Sequence, residues 1–267
     1  IRAFLFFGSE SLYFCGINSN KMTYILNIET ATKNCSVSLS ADGKTIALQE
    51  IATENFSHAE KLHVFIEALL LETNVALKEV KAIAVSQGPG SYTGLRIGVS
   101  AAKGLCYALS IPLIAVDTLE ILARKINISN GTILPMIDAR RLEVYSAFFD
   151  SNYAKIRETK AEIIDENSFH EETEILHLIG DGAMKFKEIL TDEKFKYYPE
   201  IQFPSAADMS LISFQKFQNK QFEDVAYFEP FYLKDFVLIT KKTPPANLLN
   251  QPRKAKSAIF VIIFALR

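Results

Sequence analysis

Histidines, cysteines, one serine and one carboxylate are the side chains whose types could do chemistry, and their spacing narrows what that chemistry is. His58 and His63 stand five apart in Ser57-His58-Ala59-Glu60-Lys61-Leu62-His63. At roughly 100° per residue a helix sets them about 140° apart around its axis, so a regular helix cannot offer both to one metal ion. Ser57 followed by Glu60 is the pattern of a capping box, which makes both histidines partly exposed surface residues. His170 and His177 have no cysteine or second histidine nearby, and Ser91 has no histidine near it in sequence. Neither metal catalysis nor a serine peptidase is indicated. Cys15, Cys35 and Cys106 form no CxxC pair and no even set, which excludes a disulfide scaffold and a thiolate zinc site and fits a reducing cytoplasm.

The most specific local signal is glycine-rich. Ser86-Gln87-Gly88-Pro89-Gly90-Ser91-Tyr92-Thr93-Gly94-Leu95-Arg96-Ile97-Gly98 follows the apolar run Ala82-Ile83-Ala84-Val85 and leads into a helix. Glycines admit unusual backbone angles and close approach, and a helix start offers free N–H groups to an anion, so a phosphate site is one reading. A tight strand-to-helix turn packed on neighbouring backbone is the other, and both stay open at this point. The run has no GK[ST] and no GxGxxG, so no named nucleotide motif decides between them. Gly88, Gly90 and Ser91, with Glu29 at the end of the first strand, are the candidate cofactor-binding residues.

These residues need a frame to hold them. The chain has 267 residues, 49% hydrophobic and 22% charged, which suits one or two folded domains and excludes a largely disordered chain. Lys and Arg number 29 against 31 Asp and Glu, a net charge of −2 that supplies no broad positive field for polyphosphate. Nucleic acid is therefore expected to be reached only through a partner. Alternation predicts strands over 24–28, 35–39 and 45–51, with a turn at Asp42-Gly43. A helix over 57–73, a strand over 81–85, a helix over 94–109, a strand over 112–116 and a short helix over 118–125 follow. After the Asn130-Gly131 turn come strands over 133–137, 143–149, 153–159 and 175–179. Beyond them lie the Gly180-Asp181-Gly182 turn, a helix to Leu190, a strand near Ile201 and a helix over 205–217. The second half echoes the βββαβα order of the first, so two related α/β domains are expected, over 22–126 and 127–236, with helix 205–217 able to pack on the first. Residues 1–21 are expected to be a non-native leader, because Met22 precedes the first alternating run, and 237–267 a poorly ordered tail. The apolar segment 258–266 is too short to span a membrane.

The helix faces point to a partner. Over 57–73, Leu62, Phe65, Ile66, Leu69 and Leu70 form one stripe for a sheet, while Val64, Ala68 and Leu71 form a second patch nearly opposite. The next helix likewise sets Leu95, Val99, Ala102, Leu105, Cys106 and Leu109 on one face and Ile97, Ala101, Gly104 and Ala108 on another. Small residues at that spacing allow close helix approach. Either another part of the chain, such as helix 205–217, covers both patches, or a second polypeptide does so in a four-helix bundle.

Four segments carry a family likeness. Ile28-Glu29-Thr30-Ala31-Thr32, the run from Gly88 to Gly98, and Ile137-Asp138-Ala139-Arg140-Arg141-Leu142-Glu143-Val144-Tyr145, with the closing Glu229-Pro230-Phe231-Tyr232-Leu233-Lys234, together resemble the bacterial TsaB (YeaZ) family over about residues 22–236. The resemblance implies a two-domain actin-like fold of the ASKHA, RNase H-like type. It also implies a role in making threonylcarbamoyladenosine beside the anticodon of tRNA, in which TsaD transfers the threonylcarbamoyl group, TsaB supports it without catalysing, and TsaE completes the set. The partner surface it implies is the helical one above, used for TsaD and for a homodimer when the chain is alone. TsaD relatives are known for an HxxxH pair that is absent here, and ATP-using ASKHA enzymes carry an Asp where Glu29 stands. No cofactor of the chain's own is therefore expected, ATP or ADP with magnesium at a complex interface being the alternative. A stand-alone ASKHA ATPase or phosphotransferase is the rival reading, and the protein is expected in the cytoplasm, off the membrane.

Overall fold

The computed structural model describes residues 22–53 and 58–234. The expected leader with Cys15, the Ser57 of the capping box and the expected tail lie outside the described residues. A β-meander opens the fold: Tyr24–Glu29 (β1), Asn34–Ala41 (β2) and Lys44–Ala52 (β3) pair antiparallel. The β2–β3 turn works because Asp42 and Gly43 both accept positive φ, 48° and 82°. Helix α1 (His58–Thr73) crosses to Val80–Gly88 (β4), helix α2 (Tyr92–Leu109) crosses to Leu113–Asp117 (β5), and both of these strands run parallel to β1. The first sheet has the order β3-β2-β1-β4-β5.

A short helix α3 (Thr118–Ala123), capped by the Asp117 carboxylate on the Leu119 and Glu120 amides, leads to the second sheet. Its strands are Thr132–Asp138 (β6), Glu143–Phe149 (β7), Lys155–Ile163 (β8), Leu176–Ile179 (β9) and Phe195–Tyr197 (β10). They lie in the order β8-β7-β6-β9-β10, the same topology as the first. The strands are duplicated and the helices are not. Residues 164–175 form no helix, and the predicted helix to Leu190 is a single 3-10 turn, Ala183–Phe186, whose Gly182 start has no side-chain cap. One turn fixes Ala183, Phe186 and Leu190 in the core without the length a helix needs to propagate. The strand predicted near Ile201 lies at β10 instead. Ile201 sits in a loop whose carbonyl accepts the Gly180 N–H at 2.8 Å.

Helix α4 (Ala206–Gln218), capped by Ser205, decides how the first sheet is covered. Leu62, Ile66 and Leu69 of α1 and Val99, Ala102 and Cys106 of α2 fill one face with Leu26, Ile28, Val37 and Val85. Ala206, Met209 and Ile212 of α4 fill the other with Ile25, Ala82, Ala84, Ile114 and Val116. Polar bonds lock α4 there: Ser213 Oγ donates to Asn27 Oδ1 at 2.6 Å and Ser38 Oγ to the Ala206 carbonyl at 2.7 Å. Glu50 accepts from Ser205, Asn34 and Ser36, and these bonds outweigh burial and hold its carboxyl below the usual range. Helix α3 packs in turn on the second sheet, with Leu119 and Leu122 against Ile133, Ile137 and Phe149.

Candidate functional site

The glycine-rich turn is set by protein packing. A Cβ on Gly90 would lie 2.4 Å from the Ala31 carbonyl oxygen, on Gly94 2.1 Å from that of Thr30, and on Gly98 2.2 Å from Thr30 Oγ1. A Cβ on Gly88, at φ +114°, would lie 2.7 Å from the Phe231 carbonyl oxygen. Hydrogen bonds follow the same path: Ser91 N–H donates to the Ala31 carbonyl at 2.6 Å, and Thr30 Oγ1 to that of Gly94 at 2.8 Å. Ser91 Oγ caps α2 by accepting the Gly94 N–H at 3.3 Å, which starts the helix two residues before the predicted position. The second half repeats the device, since a Cβ on Gly180, at φ +103°, would lie 2.2 Å from the Met136 carbonyl oxygen. The glycines let the turn after the fourth strand lie on the first strand or its exit, which accounts for them without a phosphate.

Glu29 is fully buried at the end of β1. Its Oε1 accepts the Ala31 N–H at 2.6 Å, while Oε2 is buried without a partner in hydrogen-bonding geometry. Burial raises its carboxyl to about 7, against the opposing pull of the Ala31 amide and the nearby Ser86 hydroxyl. His58 departs from expectation. It is buried, not part of the surface, with Nε2 at 2.8 Å from the Thr32 carbonyl and Cδ2 close to where a Gly94 Cβ would stand. Burial lowers its pKa in spite of the bond to Thr32. His63 is exposed. Among the described residues, no group of three His, Cys, Asp or Glu side chains is placed to hold a metal ion.

The α1–α2 outer face is open. Val64 is 56% exposed and Leu71 75%, and Gly104, Ala108 and the adjoining Tyr107 are exposed too. Ala68, Ile97 and Ala101 are half-buried, and Ile97 and Ala101 also touch the core. Helix α4 cannot cover this face because it lies across the sheet from it. At the end of α1, Leu71 borders a groove of about 520 Å³ with His63, Glu67, Leu70 and Leu77.

A cleft of about 550 Å³, unpredicted from sequence, is lined by Lys33, Asp138, Asp181 and Gln202 among others. Asp181 Oδ1 accepts the Asp138 N–H at 3.0 Å, and Asp138 pairs with Lys185. Burial raises the Asp181 carboxyl, and Asp138 acts in the same direction. Asp138 ends β6 and Asp181 lies in the turn after β9, and their only local signal was the turn residues around them. Among the described residues no helix is long and apolar enough to cross a membrane.

Known proteins place the chain in a group. A family model described as TsaD: tRNA N6-adenosine threonylcarbamoyltransferase matches residues 50–255. The chain is 32% identical over 230 residues to the Escherichia coli tRNA threonylcarbamoyladenosine biosynthesis protein TsaB, covering 82% of this chain and 98% of that protein. The Haemophilus influenzae protein of that name is 28% identical over 236 residues, covering 82% of this chain and 97% of its own. A solved structure of YeaZ from Pseudomonas aeruginosa superposes with a TM-score of 0.69 at 27% identity, covering 79% of this chain and all of that one. Both sheets share the 3-2-1-4-5 order, the duplicated α/β arrangement that the sequence predicts. With that topology, the glycine turn and likeness along nearly the full length of its relatives, the chain belongs to the TsaB (YeaZ) family.

Proposed function

We propose that this chain is a non-catalytic subunit in the biosynthesis of threonylcarbamoyladenosine in tRNA, and that it acts by docking its α1–α2 face on TsaD, with TsaE completing the set. Membership in a family whose members carry that biosynthetic name supports the pathway. The exposed apolar surface of Val64 and Leu71 carries the docking. Burying a Val or Leu side chain fully is worth about 1.5–3 kcal/mol. Gly104 and Ala108 leave room for a second helix pair to approach, and a four-helix bundle so formed buries on the order of 1,000 Å². Without TsaD, a second copy takes the same face. The setting is the cytoplasm.

Catalysis is assigned to TsaD because the candidate groups here are buried or already bonded within the chain. Glu29 is sealed beneath the Ala31 amide, the Ser91 hydroxyl caps α2, and the His58 imidazole is held at the Thr32 carbonyl. A stand-alone ATPase or phosphotransferase would need Glu29 to reach a phosphate-bound magnesium ion, which its burial opposes. Any nucleotide is assigned to the interface of the complex. The test is reconstitution: the purified chain is assayed for magnesium-dependent ATP hydrolysis, then tRNA modification is assayed with TsaD and TsaE in its presence and absence. We expect no hydrolysis by the chain alone and modification that depends on its addition. Appreciable hydrolysis by the chain alone, with modification indifferent to it, overturns the proposal.

A further inference from the structure

At the N-terminal end of α2, beside the docking face, aromatic and cationic side chains form a second surface. The Arg96 guanidinium lies 4.0 Å from the centre of the Tyr92 ring, and the Tyr232 ring centre lies 4.9 Å from that of Tyr92. Arg96 Nε donates to Tyr232 Oη at 3.2 Å, so two rings and one hydrogen bond fix the plane of an exposed guanidinium. Phe231 N–H donates to the Gln87 carbonyl at 2.7 Å and so lays the closing segment beside the glycine turn. Two residues beyond Tyr232, Lys234 pairs with Glu143 and its ammonium lies 5.8 Å from the Tyr145 ring. Arg140 acts electrostatically on the same Tyr145 phenol.

Arg140 and Arg141 form the β6–β7 turn, both exposed and both left-handed, with φ of +72° and +57°. Backbone and carboxylate bonds hold that turn: Arg140 N–H donates to Asp138 Oδ1 at 2.6 Å, and Lys185 Nζ donates to the Arg141 carbonyl at 3.0 Å. Of the carboxylates around this surface, Glu143 is engaged by Lys234, Asp138 by Lys185, and Asp181 accepts the Asp138 N–H, while Glu229 acts electrostatically on Arg96. Arg96, Arg140 and Arg141 have no ion-pair partner among the described residues. A net charge of −2 therefore conceals a local excess of guanidinium groups beside tyrosine rings.

We propose that this face, from Tyr92 and Arg96 across Tyr232 to Arg140 and Arg141, binds unpaired RNA, its bases stacking on the Tyr–Arg cluster and its phosphates meeting the turn arginines. The chemistry selects that ligand. Aromatic rings and guanidinium planes take bases only where the base faces are free, as in a loop, and a guanidinium fork matches phosphate oxygens. An acidic protein surface would use the arginines but would leave the fixed stacking plane idle. The inference rests on the proposed role in tRNA modification and supplies that role with a direct RNA contact.

The test titrates the full chain, alone and with TsaD, against a fluorescent stem-loop RNA with unpaired loop bases and against the same strand annealed to its complement. The loop RNA is expected to bind about tenfold tighter than the duplex. The double variant Arg140→Asn with Arg141→Asn, asparagine being tolerant of left-handed backbone, is expected to weaken loop binding about tenfold and to reduce the salt dependence by about two phosphate contacts. Arg96→Gln should narrow the preference for loop over duplex. Equal affinity for the two RNAs, an unchanged salt slope in the double variant, or loss of TsaD assembly in place of RNA binding each overturn the proposal. Normal RNA binding by the variants in a chain that supports modification sinks this face alone. Loop binding retained by a chain that fails to support modification sinks the accessory role alone.

Discussion

The two sheets share one strand order and one pattern of antiparallel and parallel pairs, yet they differ in what lies on them. The first carries α1 and α2, whereas the second has loop 164–175 and a single 3-10 turn in the corresponding places. Phe148, Phe186, Leu190 and Phe195 seal the second sheet without long helices. A sheet of this topology can therefore be closed by short segments. Two full helices with a further apolar stripe on their outer side are more than closure requires, and that surplus is what a second polypeptide can use.

Substitutions can break this comparison in several places. Gly94→Ala in the first half and Gly180→Ala in the second each drive a Cβ into a backbone carbonyl, at 2.1 and 2.2 Å, so both should destabilise by about 3 kcal/mol or more in urea denaturation. Tolerance of either would remove the claim that the glycine turn is an architectural device used twice. Glu29 gives the next effect. Its folded pKa of about 7 lies above the ordinary 4.5, so the native state binds the proton more tightly and stability falls as pH rises between those values. Urea midpoints measured across that window should decline in the wild type and flatten in Glu29→Gln.

Ser213→Ala leaves Asn27 Oδ1 without its hydroxyl partner beneath α4 and should cost about 1–3 kcal/mol in thermal unfolding. Gly104→Ala has the smallest effect and the opposite sign. Nothing lies within 4 Å of its absent Cβ, so the helix should gain up to about 1 kcal/mol, seen as a raised Tm of the isolated chain.

The sheets were legible because alternation and turn residues are local. Strands β1 to β7, apart from their outermost residues, and helices α1, α2 and α4 lie where periodicity placed them. What the sequence concealed depends on tertiary contact. The segment 183–190 has apolar spacing that serves a helix or a single turn equally, and only its contacts in the second core choose. Strand β8 runs past the predicted 153–159 to Ile163 because pairing with β7, not its own charged alternation, sets its end. His58 was read as surface because it sits in a first helical turn, but the Thr32 carbonyl, 26 positions before it, holds its ring in the interior. The Asp138–Asp181 contact joins residues 43 apart and has no signature in either segment. Val64 and Leu71, in contrast, were visible as surplus apolar positions, and the structure leaves them open.

Two apolar residues of nearly equal exposure test the proposed docking most directly. Leu71 on α1 is 75% exposed and Ile163 at the end of β8 is 71% exposed, so neither change should disturb the fold. Leu71→Glu and Ile163→Glu would each be mixed with TsaD and run by size exclusion, with circular dichroism as the check on folding. The expected result is a complex retained by Ile163→Glu and lost by Leu71→Glu. A complex that survives Leu71→Glu as well as it survives Ile163→Glu would contradict the assignment of the α1–α2 face to the partner.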